Sequence, residues 1–551
     1  MRNRRWIVVL WACFLARLLF YSVMMPLWEG YDEWAHFAVV RQMVFGGHLL
    51  VSRDAPIPRD VETSLQLAPV PWELRSLSPP SVTHDDYWAL SGSERARRQS
   101  ALHNVSADQG REDGSGALKA YEALQPPLYY WIMAPALWLC RGLSLLGQVM
   151  ALRVFSSLVA SCIVPLVFLI GLEVWREERV ALGCAAIVTL MPELAIDVAR
   201  VGNDCLAVVL FTLLTWLVLK ASRPAGAVLG LGLLTKAYFL TAIPFVWGRK
   251  RFRLPATCLT VLLSAWWYIR NLRTTGTLSG LSESVMLRGM GTGEMIRKTA
   301  GIDWAKAIDA IFLSHLYFGG WSSLTVRSWM YHVFYMAILA AAIGLARVFR
   351  QPPVLTLLLL YLCFWLGQFY NVAILYLSKG LAGSMGWYMY AVVGAEVTLC
   401  VAGLRGACTE ARETGDSCRR VAVRPARSVY RAWSGDPILC RHDPPSRQRL
   451  PRSAALGGTA ERGSGQRSGA VGGVLCRRRC WSYSGSSTSR ELSRPWSAPL
   501  RDNVTCRQKL NRSSRIRMEA LRLRAIAGRG GFEAGDRKAG RAVPRKARAR
   551  S

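Results

Sequence analysis

Residues 6–27 read WIVVLWACFLARLLFYSVMMPL, and this stretch decides the fold. A helix needs about 20 apolar residues to cross a bilayer, and the stretch is long enough. It exceeds the roughly 7–15 residue apolar core of a secretion signal. Trp28-Glu29-Gly30-Tyr31-Asp32 follows it, where a cleavable signal would place small residues. It reads as an uncleaved first span, with its Met-Arg-Asn-Arg-Arg head in the cytoplasm.

Outward from this span, further apolar runs lie near 154–174, 180–196, 206–219, 225–247, 254–269, 331–346, 354–375 and 387–404. Cytoplasmic loops carry the excess of Lys and Arg. Arg176/Arg179, Lys220/Arg223, Arg249-Lys250-Arg251-Arg253 and Arg347/Arg350 fall where such loops belong. Threading the chain with these inside gives about ten or eleven spans. The run 225–247 is basic on both flanks and too short for two full spans. It predicts a pair of short helices with Thr235-Lys236 at the turn. Two long outside loops result, 28–150 and 270–330. The apolar stretch after Gln125-Pro126-Pro127-Leu128-Tyr129-Tyr130-Trp131 is expected to lie along the outer membrane surface, where aromatic rings are enriched. The expected fold class is an all-α polytopic membrane protein, with its helical domain over 1–404.

The charge is unevenly placed. The 551 residues carry a net charge of +33, and residues 405–551 hold 34 Lys+Arg against 11 Asp+Glu. The chain is therefore no uniformly basic nucleic-acid binder, and nucleic acid is not an expected partner. The tail has 31 Arg but only three Lys, and no amphipathic period. Three readings stay open for it: a patch for anionic lipid or nucleic acid, a disordered tail, or translation of a GC-rich gene out of frame. Cysteines give no metal site, since Cys476-x3-Cys480 lacks a second ligand pair.

Three groups could do chemistry. Asp32 and Glu33 sit just outside the first span, at the start of an amphipathic helical stretch, and His36 shares a face with Asp32. A carboxylate at a low-dielectric boundary suits a general base, although acidic residues also stabilise helix N-termini. Asp197, Arg200, Asn203 and Asp204 form a second group at the outer end of a span. Asp204 there would orient an acceptor or a cation, and Arg200 would bind phosphate. Lys236, Arg270 and Arg273 form a third. Positive charge outside runs against the usual bias, and a lipid phosphate would explain it. Glu396 lies inside the last span, where a carboxylate is a functional candidate. Arg17 is expected to face other helices, and His315 and His332 read as ordinary loop or interface histidines.

The order of these features resembles the polyprenyl-phosphate-sugar-dependent glycosyltransferases of the GT-C fold. It is most similar to bacterial members of glycosyltransferase family 39, the protein O-mannosyltransferase and aminoarabinose-transferase group. The resemblance covers roughly 1–404. It rests on Asp32-Glu33-Trp34-Ala35-His36, Gln125-Pro126-Pro127-Leu128-Tyr129-Tyr130, the acidic cluster ending in Asp204, Leu233-Leu234-Thr235-Lys236 and Trp266-Trp267-Tyr268-Ile269-Arg270-Asn271. It implies an inverting transfer at the outer face of a bacterial inner membrane. Asp32 would be the general base, helped by Glu33, with Asp204 as the second acid. Lys236, Arg270 and Arg273 would hold the donor phosphate, and His36, Arg200 and Gln125 would orient the acceptor. The implied partners are a polyprenyl-phosphate-linked sugar, the bilayer, and an acceptor glycan, lipid or protein. No organic cofactor is implied, and a divalent cation stays open. Gln125 stands where the family often has His, and the outer domain common after the last span has no counterpart. A polytopic lipid or glycan transporter, and a truncated inactive relative, are the alternative expectations.

Overall fold

A computed structural model describes residues 4–413, apart from 72–73, 75–80, 106–111, 249–252, 318 and 320–325. The expected basic tail lies outside the described residues from 414 onward.

The described residues are mostly helical. Helix α1 (Arg4–Met24) is the apolar stretch that opened the sequence. Arg17 within it donates to the Thr189 carbonyl at 2.9 Å, so it faces another helix as expected. A turn leads to α2 (Glu33–Gly46). The loop that follows folds into α3 (Arg59–Leu67), α4 (His84–Ala89) and α5 (Gly92–His103). Ser91 caps α5 by accepting from the Glu94 amide. Two short parallel strands, β1 (Pro69–Val70) and β2 (Val82–Thr83), pair in this loop, as Pro69↔Val82 and Val70↔Thr83. A 3-10 turn, Tyr121–Leu124, ends it.

Next come α6 (Leu128–Leu139), α7 (Leu145–Ser161) and α8 (Ile163–Trp175). Helices α9 (Glu178–Leu190) and α10 (Pro192–Val198) meet at a 65° bend. Pro192 explains the break, since proline opens a helix but cannot continue one. Helix α11 (Asp204–Leu219) is buried on most of its surface and packs on α7 and α8. It also packs on α12 (Ala225–Leu233). A turn at Leu234-Thr235-Lys236 separates α12 from the 3-10 stretch Ala237–Ala242 and α13 (Ile243–Trp247), so short helical pieces flank Thr235-Lys236 as the sequence predicts. Helix α14 (Arg253–Thr275) packs so closely on α12 that a Cβ on Gly226 would lie 2.4 Å from the Ala256 carbonyl oxygen.

The segment after α14 holds α15 (Ser282–Met286), α16 (Thr292–Thr299) and α17 (Trp304–Leu316). The chain closes with α18 (Ser328–Val348), α19 (Pro352–Lys379), a 3-10 turn Gly386–Val392 and α20 (Val393–Glu413). Gly380, at φ 68°, caps α19 in the left-handed conformation that favours glycine.

Among the described residues five helical stretches are long and apolar enough to cross a membrane. They are Arg5–Met24, Leu145–Trp175, Ser328–Val348, Pro352–Lys379 and Gly386–Ala407, and the bent α9–α10 pair would make six. This is fewer than the ten or eleven expected. The run 206–219 becomes a helix of only 16 residues, and 225–247 breaks into short pieces. The run 254–269 lies in α14, which carries Arg253, Arg270 and Arg273. The boundary expected at 404 falls inside α20, which continues to Glu413.

Candidate active site

The site starts at a strained turn. Trp28 (φ 65°) and Asp32 (φ 54°) both take left-handed backbone conformations, which cost a non-glycine residue about 1–2 kcal/mol. Trp28 is fully buried and donates its ring N–H to Ser64 at 3.0 Å, which anchors the turn. Between them sits Gly30, where an added Cβ would lie 2.7 Å from Arg200 Cδ. The turn sets Asp32 at the N-cap of α2, half-buried, with Tyr121 donating its hydroxyl to Asp32 Oδ1.

Glu33 has a different place from Asp32. It is wholly buried and takes both arms of Arg153, at 2.8 and 2.6 Å, plus the Val201 amide at 3.0 Å. The remaining Arg153 donors bind the carbonyls of Ser22, Met25 and Pro26 at the end of α1. Glu33 and Arg153 thus lock the exit of α1 to α7, and Glu33 positions the turn that presents Asp32.

Beside Asp32 lies a neutral acid–base pair. The Tyr130 hydroxyl donates to the Glu122 carbonyl at 3.0 Å, and His36 Nδ1 lies 2.9 Å from the same hydroxyl. Since Tyr130 has one proton, His36 carries its own on Nδ1 and turns the Nε2 lone pair to Glu122 Oε2, 3.7 Å away. Burial pushes the His36 pKa well down, and the charges of Arg200 and Lys236 lower it further. Burial pushes the Glu122 carboxyl up to about 8, with the neighbouring Asp32 charge adding to the rise.

The other half of the site is a buried ion network. Asp204, at the start of α11, pairs with Lys236 through one oxygen and with Arg200 Nη2 through the other, at 2.9 Å. Arg200 also binds Asp197 at 2.7 Å and the Tyr31 carbonyl. Its guanidinium lies 5.1 Å from the Tyr31 ring centre. Tyr31 stacks on Trp387 at 3.8 Å and donates its hydroxyl to Glu193 at 2.8 Å. Lys236 Nζ lies 5.2 Å from the ring centre of Tyr388. Three polar atoms of this half are buried without a hydrogen-bond partner: Asp197 Oδ2, Arg200 Nε and Asn203 Oδ1. Buried polar atoms are rarely left so.

One main-chain bond joins the Gln-Pro-Pro segment to this network. The Leu128 amide donates to the Leu234 carbonyl at 2.9 Å, two residues before Lys236. Gln125 ends the 3-10 turn that carries Tyr121 and Glu122, and is half-buried. The Tyr268 hydroxyl donates to the Leu233 carbonyl at 3.0 Å, which brings the end of α14 to the same turn. Arg270 there stacks over Trp267 at 5.1 Å, and Arg273 is exposed.

Asp32, His36, Arg200, Asp204, Lys236 and the Gln125 segment thus gather at one place. Glu122, Tyr121 and Tyr130 belong to it without having been singled out in the sequence. Among the described residues no three His, Cys, Asp or Glu side chains converge as a cation site. Both Asp204 oxygens are engaged by Arg200 and Lys236. His315 lies at a helix interface, one of its two expected places: it is buried and pairs with Glu396 at 2.8 Å. Burial opposes charge on His315, yet the Glu396 carboxylate outweighs it and raises the pKa. His332 is exposed and bonds only its own helix, at the Ser328 carbonyl.

Comparison of the chain with protein-family models, with curated proteins and with solved structures gives no match.

Proposed function

We propose that the chain is a GT-C type glycosyltransferase of a bacterial inner membrane, which moves a sugar from a polyprenyl-phosphate donor to an acceptor hydroxyl at the outer face. The observation that carries this is the convergence of a half-buried carboxylate, Asp32, with the buried Lys236–Asp204–Arg200 network, drawn from separate parts of the chain. Asp32 takes the proton of the acceptor hydroxyl. The hydroxyl oxygen attacks the anomeric carbon opposite the phosphate, and the bond from that carbon to the phosphate oxygen breaks, with inversion. Lys236, with Arg270 and Arg273 on the adjoining helix end, stabilises the departing phosphate. Asp204 holds Lys236, Glu33 and Arg153 hold the turn, and His36 with Gln125 shapes the acceptor side.

The test is Asp32→Asn in membranes supplied with polyprenyl-phosphate-linked sugars. Transfer should fall by about a hundredfold or more, with equal amounts of inserted protein. Unchanged transfer overturns the assignment. A lipid or glycan transporter is the second reading, favoured by the 65° break between α9 and α10. In that case the wild type moves lipid-linked glycan across vesicles and transfers no sugar.

A further inference from the structure

Helices α14 and α19 run from one set of charges to another. Each starts beside a basic stretch, Arg249-Lys250-Arg251 for α14 and Arg347/Arg350 for α19. The chain from 276 to 301 is tied to the far ends of both. The Asn271 amide donates to the Ser279 carbonyl at 3.1 Å. Glu283 pairs with Lys379, the last residue of α19. A Cβ on Gly301 would lie 2.9 Å from the Tyr376 hydroxyl. Helices α15 and α16 both pack on α19.

The outward side of this segment mixes two kinds of residue. Leu278, Met286 and Ile296 are large, apolar and 61%, 59% and 67% exposed. Arg273, Arg288, Arg297 and Lys298 are exposed beside them. The apolar row continues down α14 through Leu272, Leu262 and Leu254, all exposed. Both acidic residues of the segment are already paired, Glu283 with Lys379 and Glu294 with Lys298. Exposed apolar groups interleaved with cations describe an element that lies in a membrane interface. Cations opposite the basic helix starts also run against the usual membrane bias, and anionic headgroups offset that.

We propose that residues 276–301 form a membrane-surface element that binds anionic phospholipid headgroups. Leu278, Met286 and Ile296 enter the acyl region, and Arg288, Arg297 and Lys298 meet the phosphates. The inference stands apart from sugar transfer, because it needs only the helix ends and this surface. The full chain would be reconstituted in phosphatidylcholine vesicles, and in vesicles with equal parts of phosphatidylglycerol. Backbone hydrogen exchange would be read over 282–299. Exchange should slow by about tenfold in the anionic vesicles. The triple variant R288E/R297E/K298E should lose that difference while exchange in α18 and α20 stays as in the wild type. Equal exchange of the wild type in the two lipids overturns the proposal, and so does slowing that persists in the variant.

Discussion

Asp32 is held at φ 54° by a turn whose neighbours are all engaged, and Glu122 is the residue whose titration reports on that arrangement. Its carboxyl is raised to about 8, so the folded state binds its proton more tightly than the unfolded chain does. The stability it contributes is complete below the ordinary carboxylate range and is lost as pH rises toward 8. Glu122→Gln should therefore flatten the loss of melting temperature between about pH 5 and pH 8. Melting of the purified protein in detergent at both values checks this. A wild-type slope equal to that of the variant would count against the buried, proton-holding placement. Asp32, Glu33 and His36 were legible as a group because they are neighbours in the chain. Glu122 and Tyr121 were not, since Tyr121 reaches Asp32 across 89 positions and no period marks the pairing. Glu33 was legible as a carboxylate but not as the partner of Arg153, which lies 120 positions away.

Close helix contact sets the second scale. Helices α18 and α20 cross where Ala341 and Gly344 meet Gly403 and Gly406. A Cβ on Gly403 would lie 1.9 Å from the Ala341 carbonyl oxygen. Small residues let helix backbones approach in this way. Gly403→Val should cost at least about 1–3 kcal/mol, since it forces the helices apart. Gly183→Val is the control: nothing lies within 4 Å of its added Cβ. Thermal unfolding of both variants tests this, and equal melting temperatures would refute the close crossing. Hydropathy located most of these helices within a few residues. It did not separate helices that cross a membrane from shorter buried ones, because α11 is as apolar as a span yet only 16 residues long. Helix α2 was expected to be amphipathic, but most of its residues through Met43 are buried. Helix α6 and the 3-10 turn at 121–124 pack over it, and a local pattern cannot register that cover.

At the scale of the molecule, the packing of α20 runs past residue 404. Gly406 is part of the α18–α20 crossing, and Arg405 pairs with Glu177 at 3.0 Å. Helix α20 thus passes the point where composition turns Arg-rich. A chain ended after Glu413 should insert into membranes and melt as the full chain does, measured side by side in one detergent. A large drop in melting temperature would show that 414–551 contribute to the fold. The Gln-Pro-Pro segment and the turn at Leu234-Thr235-Lys236 meet through the amide of Leu128 and the carbonyl of Leu234. Because that bond is made by main chain alone, exchanging the side chain of Gln125 leaves it intact. Adding or deleting a single residue between 124 and 128 does not. Spacing, more than chemical identity, is what this part of the molecule has to keep, so insertions there should be far less tolerated than substitutions.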